Sequence, residues 1–458
     1  MSVNRLLWPV PVLAGWLLVL IQTAFAQPPS QLRTLLQQAP DRYPALKARA
    51  YEADALRQQS AVLRTARLPT LDATAQANVA TYNNLTGMFY PTSLLPISGP
   101  PSTGNQFSPV TGTAAGLLMN WSPMTFGAVD SRIAVAQAEL AVKLAQTADE
   151  KLRIQVATAQ AYLDALLGDE LNRLAGQNSS RTDSLLRQVQ ALVVQGLRPE
   201  VDTALVVTEF SRAEIEQINT RNRASEARLK LAEWLARPDT VLTLTDTTLL
   251  TRLPGGRGDT NTVAHPTEQV FQRQIDVETA RVGQIRRQFA PRLTFWGTTY
   301  ARGSGVDYQG QVNALDGLVF SRFNYGLGAH LLVPLLHGTE RSALLTQQDF
   351  RVKAANEQLA QTRLTLDTQR RSARLLRQQA EEIARQMPRQ VGAARQALVG
   401  LQSRYASGLV SLTDVLQAQY TLLRAESDQK ATILAVWRGR LLEAYAEGNI
   451  NLFLQVLN

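Results

Sequence analysis

Hydrophobic and polar positions alternate with a period of two in four stretches of this chain, and follow helical spacing over most of the remainder. From Leu71 to Thr81 the odd positions are Leu71, Ala73, Ala75, Ala77, Val79 and Thr81; the even ones are Asp72, Thr74, Gln76, Asn78 and Ala80. The alternation returns with Ala115, Leu117, Met119 and Trp121 against Ala114, Gly116, Leu118 and Asn120. A third stretch sets Leu293, Phe295, Gly297 and Thr299 against Arg292, Thr294, Trp296 and Thr298. The cleanest sets Phe323, Tyr325, Leu327, Ala329, Leu331 and Val333 against Asn324, Gly326, Gly328, His330 and Leu332. Each predicts a strand of roughly ten residues with one weakly apolar and one polar face. Such strands suit a membrane barrel with lipid outside and water inside, and they suit a soluble β-sandwich equally well. On the barrel reading His330 lines the lumen.

Between the strand pairs lie unusually long helical stretches rich in Ala, Gln, Leu and Arg. Ala128 to Val194 contains no proline, and Thr339 to Ser407 contains one, Pro388. A continuous helix of about 65 residues reaches roughly 100 Å, a rod that no single compact domain needs. The spacing of Ile133, Ala136, Leu140 and Leu144 predicts helix-on-helix packing, which an ordinary coiled coil would also show. Arg and Glu along the rods read as a solvated face.

The chain also repeats itself. Arg67-Leu68-Pro69-Thr70-Leu71 is matched by Ala290-Pro291-Arg292-Leu293-Thr294. Trp121-Ser122-Pro123 with Gly127 is matched by Val333-Pro334 with Gly338. A Gly-Leu turn with an Asp six residues after the Gly occurs as Gly196-Leu197…Asp202 and as Gly408-Leu409…Asp414; 408 − 196 and 414 − 202 both give 212. The order predicts a first repeat over 27–237, a connector over 238–265 marked by Pro254, Gly255, Gly256 and Gly258, a second repeat over 266–448, and a tail over 449–458.

Composition narrows the chemistry. With 458 residues, 45% of them hydrophobic and 19% charged, the chain is a folded protein of several domains or one large repeated architecture. The lack of cysteine excludes disulfide scaffolds, thiol catalysis and Cys-based metal sites. Three scattered His argue against a His-rich metal site, and no nucleophile–base pair, metal cluster or phosphate loop is legible, so no enzyme activity and no cofactor are expected. The adjacent carboxylates Glu381 and Glu382 sit in a charged helical context. A net charge of +9 would suit a nucleic-acid partner, but the N-terminus points elsewhere. Residues 1–26 carry one charge, Arg5, then an apolar run from Leu6 to Ile21 and Ala24-Phe25-Ala26, the pattern of a cleaved export signal. Pro9 and Pro11 interrupt the run, which is short for a membrane span. Cleavage before Gln27 leaves +8, since only Arg5 is removed from +9, and without Cys there no lipid anchor is expected at that site. An exported chain without a spanning helix is soluble or a β-barrel. If it is a barrel, four strands cannot close one, and open edges are not tolerated in lipid, so several chains must share it.

Order, spacing and duplication together make the mature chain resemble the TolC family of outer-membrane efflux proteins. The resemblance implies a mixed α and β membrane fold: a homotrimer with a 12-stranded outer-membrane β-barrel, four strands per chain, continued by a long periplasmic α-helical barrel. It implies a passive exit duct of tripartite drug pumps or type I secretion systems. Outer-membrane lipid, a periplasmic adaptor and, indirectly, an inner-membrane RND, ABC or MFS transporter are the implied partners, with no nucleic acid among them. Gly196, Leu197, Gly408 and Leu409 would form the adaptor-docking tip. Asp202, Tyr405 and Asp414, with Arg198 and Gln417, would form the periplasmic aperture, where a Tyr hydroxyl can donate to an Asp and a ring of carboxylates favours cations. Two positions depart from the family pattern. Val410 stands where the family has an Arg, although Arg198 holds the equivalent place in the first copy, and Gln417 replaces a second Asp. Asp414 could equally be a helix cap. The alternative function is a periplasmic coiled-coil adaptor or scaffold without its own pore.

Overall fold

The computed structural model describes residues 31–84, 100–102, 104–237, 243–255 and 264–457; the export signal expected over 1–26 lies outside them. The chain runs α1 (Gln31–Arg42), α2 (Pro44–Thr65), β1 (Thr70–Ala80), β2 (Val110–Met124), α3 (Ala128–Val194), α4 (Glu200–Trp234), α5 (Pro266–Gln288), β3 (Arg292–Ser304), β4 (Arg322–Leu332), α6 (Gly338–Ala406), α7 (Leu412–Ala446) and α8 (Asn451–Leu454). It is mostly helical, with one small sheet. The two expected rods are single helices of 67 and 69 residues, each about 100 Å long. Pro388 is taken up inside α6 without ending it.

The strands form one antiparallel sheet in the order β1-β2-β3-β4. Its register shows which strand faces coincide. Leu71 pairs with Met119, Met119 with Gly297 and Gly297 with Leu327, while Asp72 pairs with Leu118, Leu118 with Thr298 and Thr298 with Gly326. Directly opposed residues share a face, so the four apolar sets coincide on one side and the four polar sets on the other. The sheet is curved. The concavity, about 640 Å³, is lined by Thr74, Gln76, Asn78, Ala114, Tyr300 and Arg302 among others, so the polar side is the concave one. On the convex side Phe323, Tyr325, Leu327 and Leu331 are exposed. Strands β2 and β3 are longer than the alternation predicted, at 15 and 13 residues. Glycines at 112 and 303 blur the hydrophobic pattern without ending the ladder, and the irregularity between Trp121 and Met124 absorbs Pro123.

Each long helix has different partners along its length. The N-terminal half of α3 meets α2 and α5, through Lys143 to Glu52 at 3.0 Å and Arg281 to Glu139 at 3.0 Å. Its C-terminal half meets α4 and α7, through Arg228 to Asp169 at 2.8 Å and Lys430 to Glu170 at 3.4 Å. α6 likewise passes from α5 to α7. Helix-on-helix packing along α3 therefore does not follow one stripe. Ile133 and Ala136 are buried, but Leu144 is 48% exposed and burial passes to Val142. At about 100° per residue Val142 lies opposite Ile133, because a helix packed between two neighbours buries two sides. The charges along the rods are not all solvated either. Arg377 donates to Glu381 at 2.6 Å and to Glu443 at 2.7 Å between α6 and α7, and Glu426 accepts from Arg395 at 2.9 Å while facing Arg181 at 3.4 Å. A wall of helices packed side by side leaves long charged side chains in its seams.

A belt of apolar packing girdles the middle of the bundle. Leu32 and Leu36 of α1, Tyr162 and Leu163 of α3, Leu434, Trp437 and Leu441 of α7, and Phe453 beyond it form one core. The connector is tied into it: Leu249 and Leu250 are buried, and Trp437 Nε1 donates to the Arg252 carbonyl at 3.0 Å. Asp246 accepts from the backbone N–H groups of Gln31 and Leu32 at 3.1 and 2.9 Å, and from the Tyr162 hydroxyl at 3.0 Å. A carboxylate from the connector thereby satisfies the orphan donors at the start of α1. Trp437→Ala is expected to cost about 3–5 kcal/mol, read as a lower midpoint of denaturation.

His265 is a pH-sensitive part of the same belt. It is fully buried; its Nδ1 accepts from Thr267 N–H at 3.1 Å, and its Nε2 donates to the Tyr445 carbonyl at 2.9 Å. Burial pushes its pKa below the ordinary value, with Arg370 adding to the shift and the Tyr445 carbonyl, Asp149 and Glu268 opposing it. The unfolded chain therefore takes up the proton first as pH falls. The His265 contribution is whole above about pH 6.5 and declines below it. The midpoint of thermal unfolding is expected to drop between pH 7.5 and pH 5, and to drop less in His265→Asn.

Candidate functional site

The two Gly-Leu turns lie together at the far end of the rods from the sheet. Each ends a long helix in the same way. Gly196 has φ +70 and donates to the Val193 carbonyl at 2.9 Å, while Leu197 N–H reaches the Leu192 carbonyl at 2.9 Å. Gly408 has φ +80 and donates to Tyr405 at 3.0 Å, while Leu409 N–H reaches Arg404 at 2.9 Å. These are paired Schellman caps, which place a glycine in the left-handed region where other residues are strained. The leucines after them point outward, 65% and 69% exposed.

Behind the turns, Arg198, Asp202 and Tyr405 converge. The Tyr405 side chain is 1% exposed and its hydroxyl donates to Asp202 Oδ2 at 2.8 Å. The Arg198 guanidinium lies over the Tyr405 ring, 4.2 Å from its centroid, and donates to the Tyr405 carbonyl. Burial, then the Asp202 carboxylate, push the Tyr405 phenol up to about 12, so it stays a neutral donor at physiological pH. The cluster joins the end of α6 to the start of α4 and so ties one hairpin to the other.

The two aspartates occupy the same position, third in the helix that follows each turn, yet do different things. Before α4 the cap residue is Pro199, which has neither a side-chain hydroxyl nor an N–H. Asp202 therefore has nothing to cap and is free to accept from Tyr405. Before α7 the cap is Ser411. Its hydroxyl accepts from Asp414 N–H at 3.3 Å and its N–H donates to Asp414 Oδ2 at 3.0 Å, a capping box. The Ser411 hydroxyl, and then its backbone N–H, hold the Asp414 carboxyl below its ordinary value. Asp414 and Gln417 stand on exposed turns of α7, outside the Arg198–Tyr405–Asp202 cluster. Ser411→Ala is expected to cost about 1 kcal/mol, visible as fraying of the first turn of α7 in hydrogen exchange.

Sequence reasoning missed the cross-links that hold the hairpins together above this cluster. Glu426 lies between Arg181 of α3 and Arg395 of α6, and Gln419 donates to Thr182 Oγ1 at 3.2 Å. The available signal was a Glu and a Gln falling on the otherwise apolar side of α7.

The fold is thus a small curved sheet, apolar outside and polar inside, continued by long helical hairpins that end in capped turns, an arrangement suited to a conduit. The profile of the outer membrane efflux protein family matches residues 35–237 and 265–433, and the chain belongs to that family, which is one of efflux proteins rather than enzymes. Its place is accordingly the outer membrane. Among solved structures it is similar to the Campylobacter jejuni CmeC outer membrane channel, with TM-score 0.70, 15% identity and coverage of 91% of this chain and 85% of that one. It is similar to the outer membrane protein VceC of Vibrio cholerae, with TM-score 0.68, 17% identity and coverage of 92% and 96%. It is also similar to the open state of the Neisseria gonorrhoeae MtrE outer membrane channel, with TM-score 0.69, 19% identity and coverage of 91% and 89%. Comparison with curated proteins gives no match.

Proposed function

We propose that the protein is the outer-membrane exit duct of a tripartite efflux system, a passive conduit for small molecules handed over by an inner-membrane pump through a periplasmic adaptor. The observation that carries this is the sheet. Its convex face is apolar, its concave face polar, and among the described residues β1 and β4 are each paired on one side only. No helix among the described residues is long and apolar enough to cross a membrane, so the sheet is the part that meets lipid. Unpaired strand edges are too costly there. Three chains contributing four strands each would close a 12-stranded barrel, with β4 of one against β1 of the next. The duplicated strand–helix order then gives a helical barrel as the periplasmic continuation. The aperture is the Arg198–Tyr405–Asp202 cluster, with the Asp414 carboxylates a second, exposed ring, and the adaptor docks on Leu197 and Leu409. A pore-free scaffold would have no use for a polar concavity backed by an apolar face. Reconstitution into planar bilayers tests the proposal: discrete conductance steps are expected, and their absence from correctly folded protein would contradict it.

A further inference from the structure

The charges on the polar face of the sheet are segregated along its length. Asp72 and Arg292 lie near the end that joins the helices; Arg302 and Arg322 lie at the opposite, outer end. Arg302 and Arg322 are directly opposed across β3 and β4, an arrangement in which like charges repel. Both are exposed, and Arg302 lines the concavity. Among the described residues neither has a carboxylate partner; Arg322 donates to the Ser321 carbonyl at 3.0 Å. Of the two nearest acids along the chain, Asp307 is engaged elsewhere and Asp316 forms no ion pair with either arginine among the described residues. Asp307 accepts from the backbone N–H groups of Gln309 and Gln311 at 2.9 and 2.8 Å. The segment carrying Asp316 is hung from Thr111 and Thr113, whose hydroxyls donate to the Ala314 and Gly317 carbonyls.

Two guanidinium groups on directly opposed positions of a water-facing wall, without a carboxylate partner among the described residues, suit an anion. Guanidinium forks match the planar geometry of carboxylate and phosphate oxygens, and a ring of one sign sets the ion preference of a pore. We propose that the Arg302–Arg322 pair is an oxyanion-binding site at the outer mouth of the duct and that its cargo is organic anions bearing carboxylate or phosphate groups. This rests on the barrel reading, in which two arginines from each of three chains make a ring of six. The concave placement turns the ring toward passing solute and away from lipid headgroups on the convex side.

The test uses the full-length protein in planar bilayers, with citrate added to the outer side. Citrate is expected to block the wild-type conductance, and the block is expected to be at least tenfold weaker in R302Q/R322Q. In a KCl gradient the same variant should shift the reversal potential toward cation preference. R302K/R322K, which keeps the charge but not the fork, should retain the wild-type reversal potential and lose part of the block. Equal block and an unchanged reversal potential in R302Q/R322Q would overturn the arginine site while leaving the duct intact. Folded protein that forms no channel would overturn the duct reading, and the arginine site with it.

Discussion

Tyr405→Phe is expected to raise the open probability of reconstituted channels about tenfold at neutral pH. The substitution keeps the ring that fills the space behind the turns and the face that Arg198 covers, and removes only the hydroxyl that donates to Asp202 at 2.8 Å. A hydrogen bond to a charged group contributes about 1.5–3 kcal/mol, and about 1.4 kcal/mol is a factor of ten in an equilibrium constant. The bond joins the end of α6 to the start of α4, so it favours the arrangement in which the two hairpins lie together. Asp202→Ala should have a similar effect, and the double variant should add little to either single one, as two partners of one interaction do. Single-channel recording of the three variants checks this. Unchanged open probability in all three would remove the cluster from the aperture.

The second large effect is expected at the outermost turns. Leu197→Asp combined with Leu409→Asp replaces the two exposed leucines that follow the Schellman caps. Each buried leucine side chain contributes about 1.5–3 kcal/mol to an interface, so losing both should weaken adaptor binding at least a hundredfold and abolish export in cells. The cap geometry depends on the glycines and on backbone hydrogen bonds, not on these side chains, so native mass and conductance in bilayers should not change. Export at the wild-type level would show that the adaptor docks elsewhere.

Much of this architecture was legible because it rests on short-range periodicity. The bounds of α3 follow from an absence of proline and a Pro…Gly break at its start, and the four strand faces follow from alternation. The common face across all four strands was not legible, since register depends on pairings between residues up to about two hundred positions apart. At the tip, the residues were legible but their connections were not. Asp202 and Asp414 are equivalent in sequence, and only the identity of the cap residues, Pro199 and Ser411, explains why one binds Tyr405 and the other caps its own helix. The belt was missed for a related reason. Asp246 and Arg252 sit in a stretch that reads as a connector, and their roles arise from distant partners: the start of α1, Tyr162 and Trp437.

In the proposed duct one chain supplies a third of a shared barrel. The most direct measurement is the native mass of the full-length protein extracted in detergent from an outer-membrane fraction. Three chains per particle are expected, with each β1 edge paired to a neighbour's β4. A stable monomer, or recovery only from the soluble periplasm, would contradict the shared barrel.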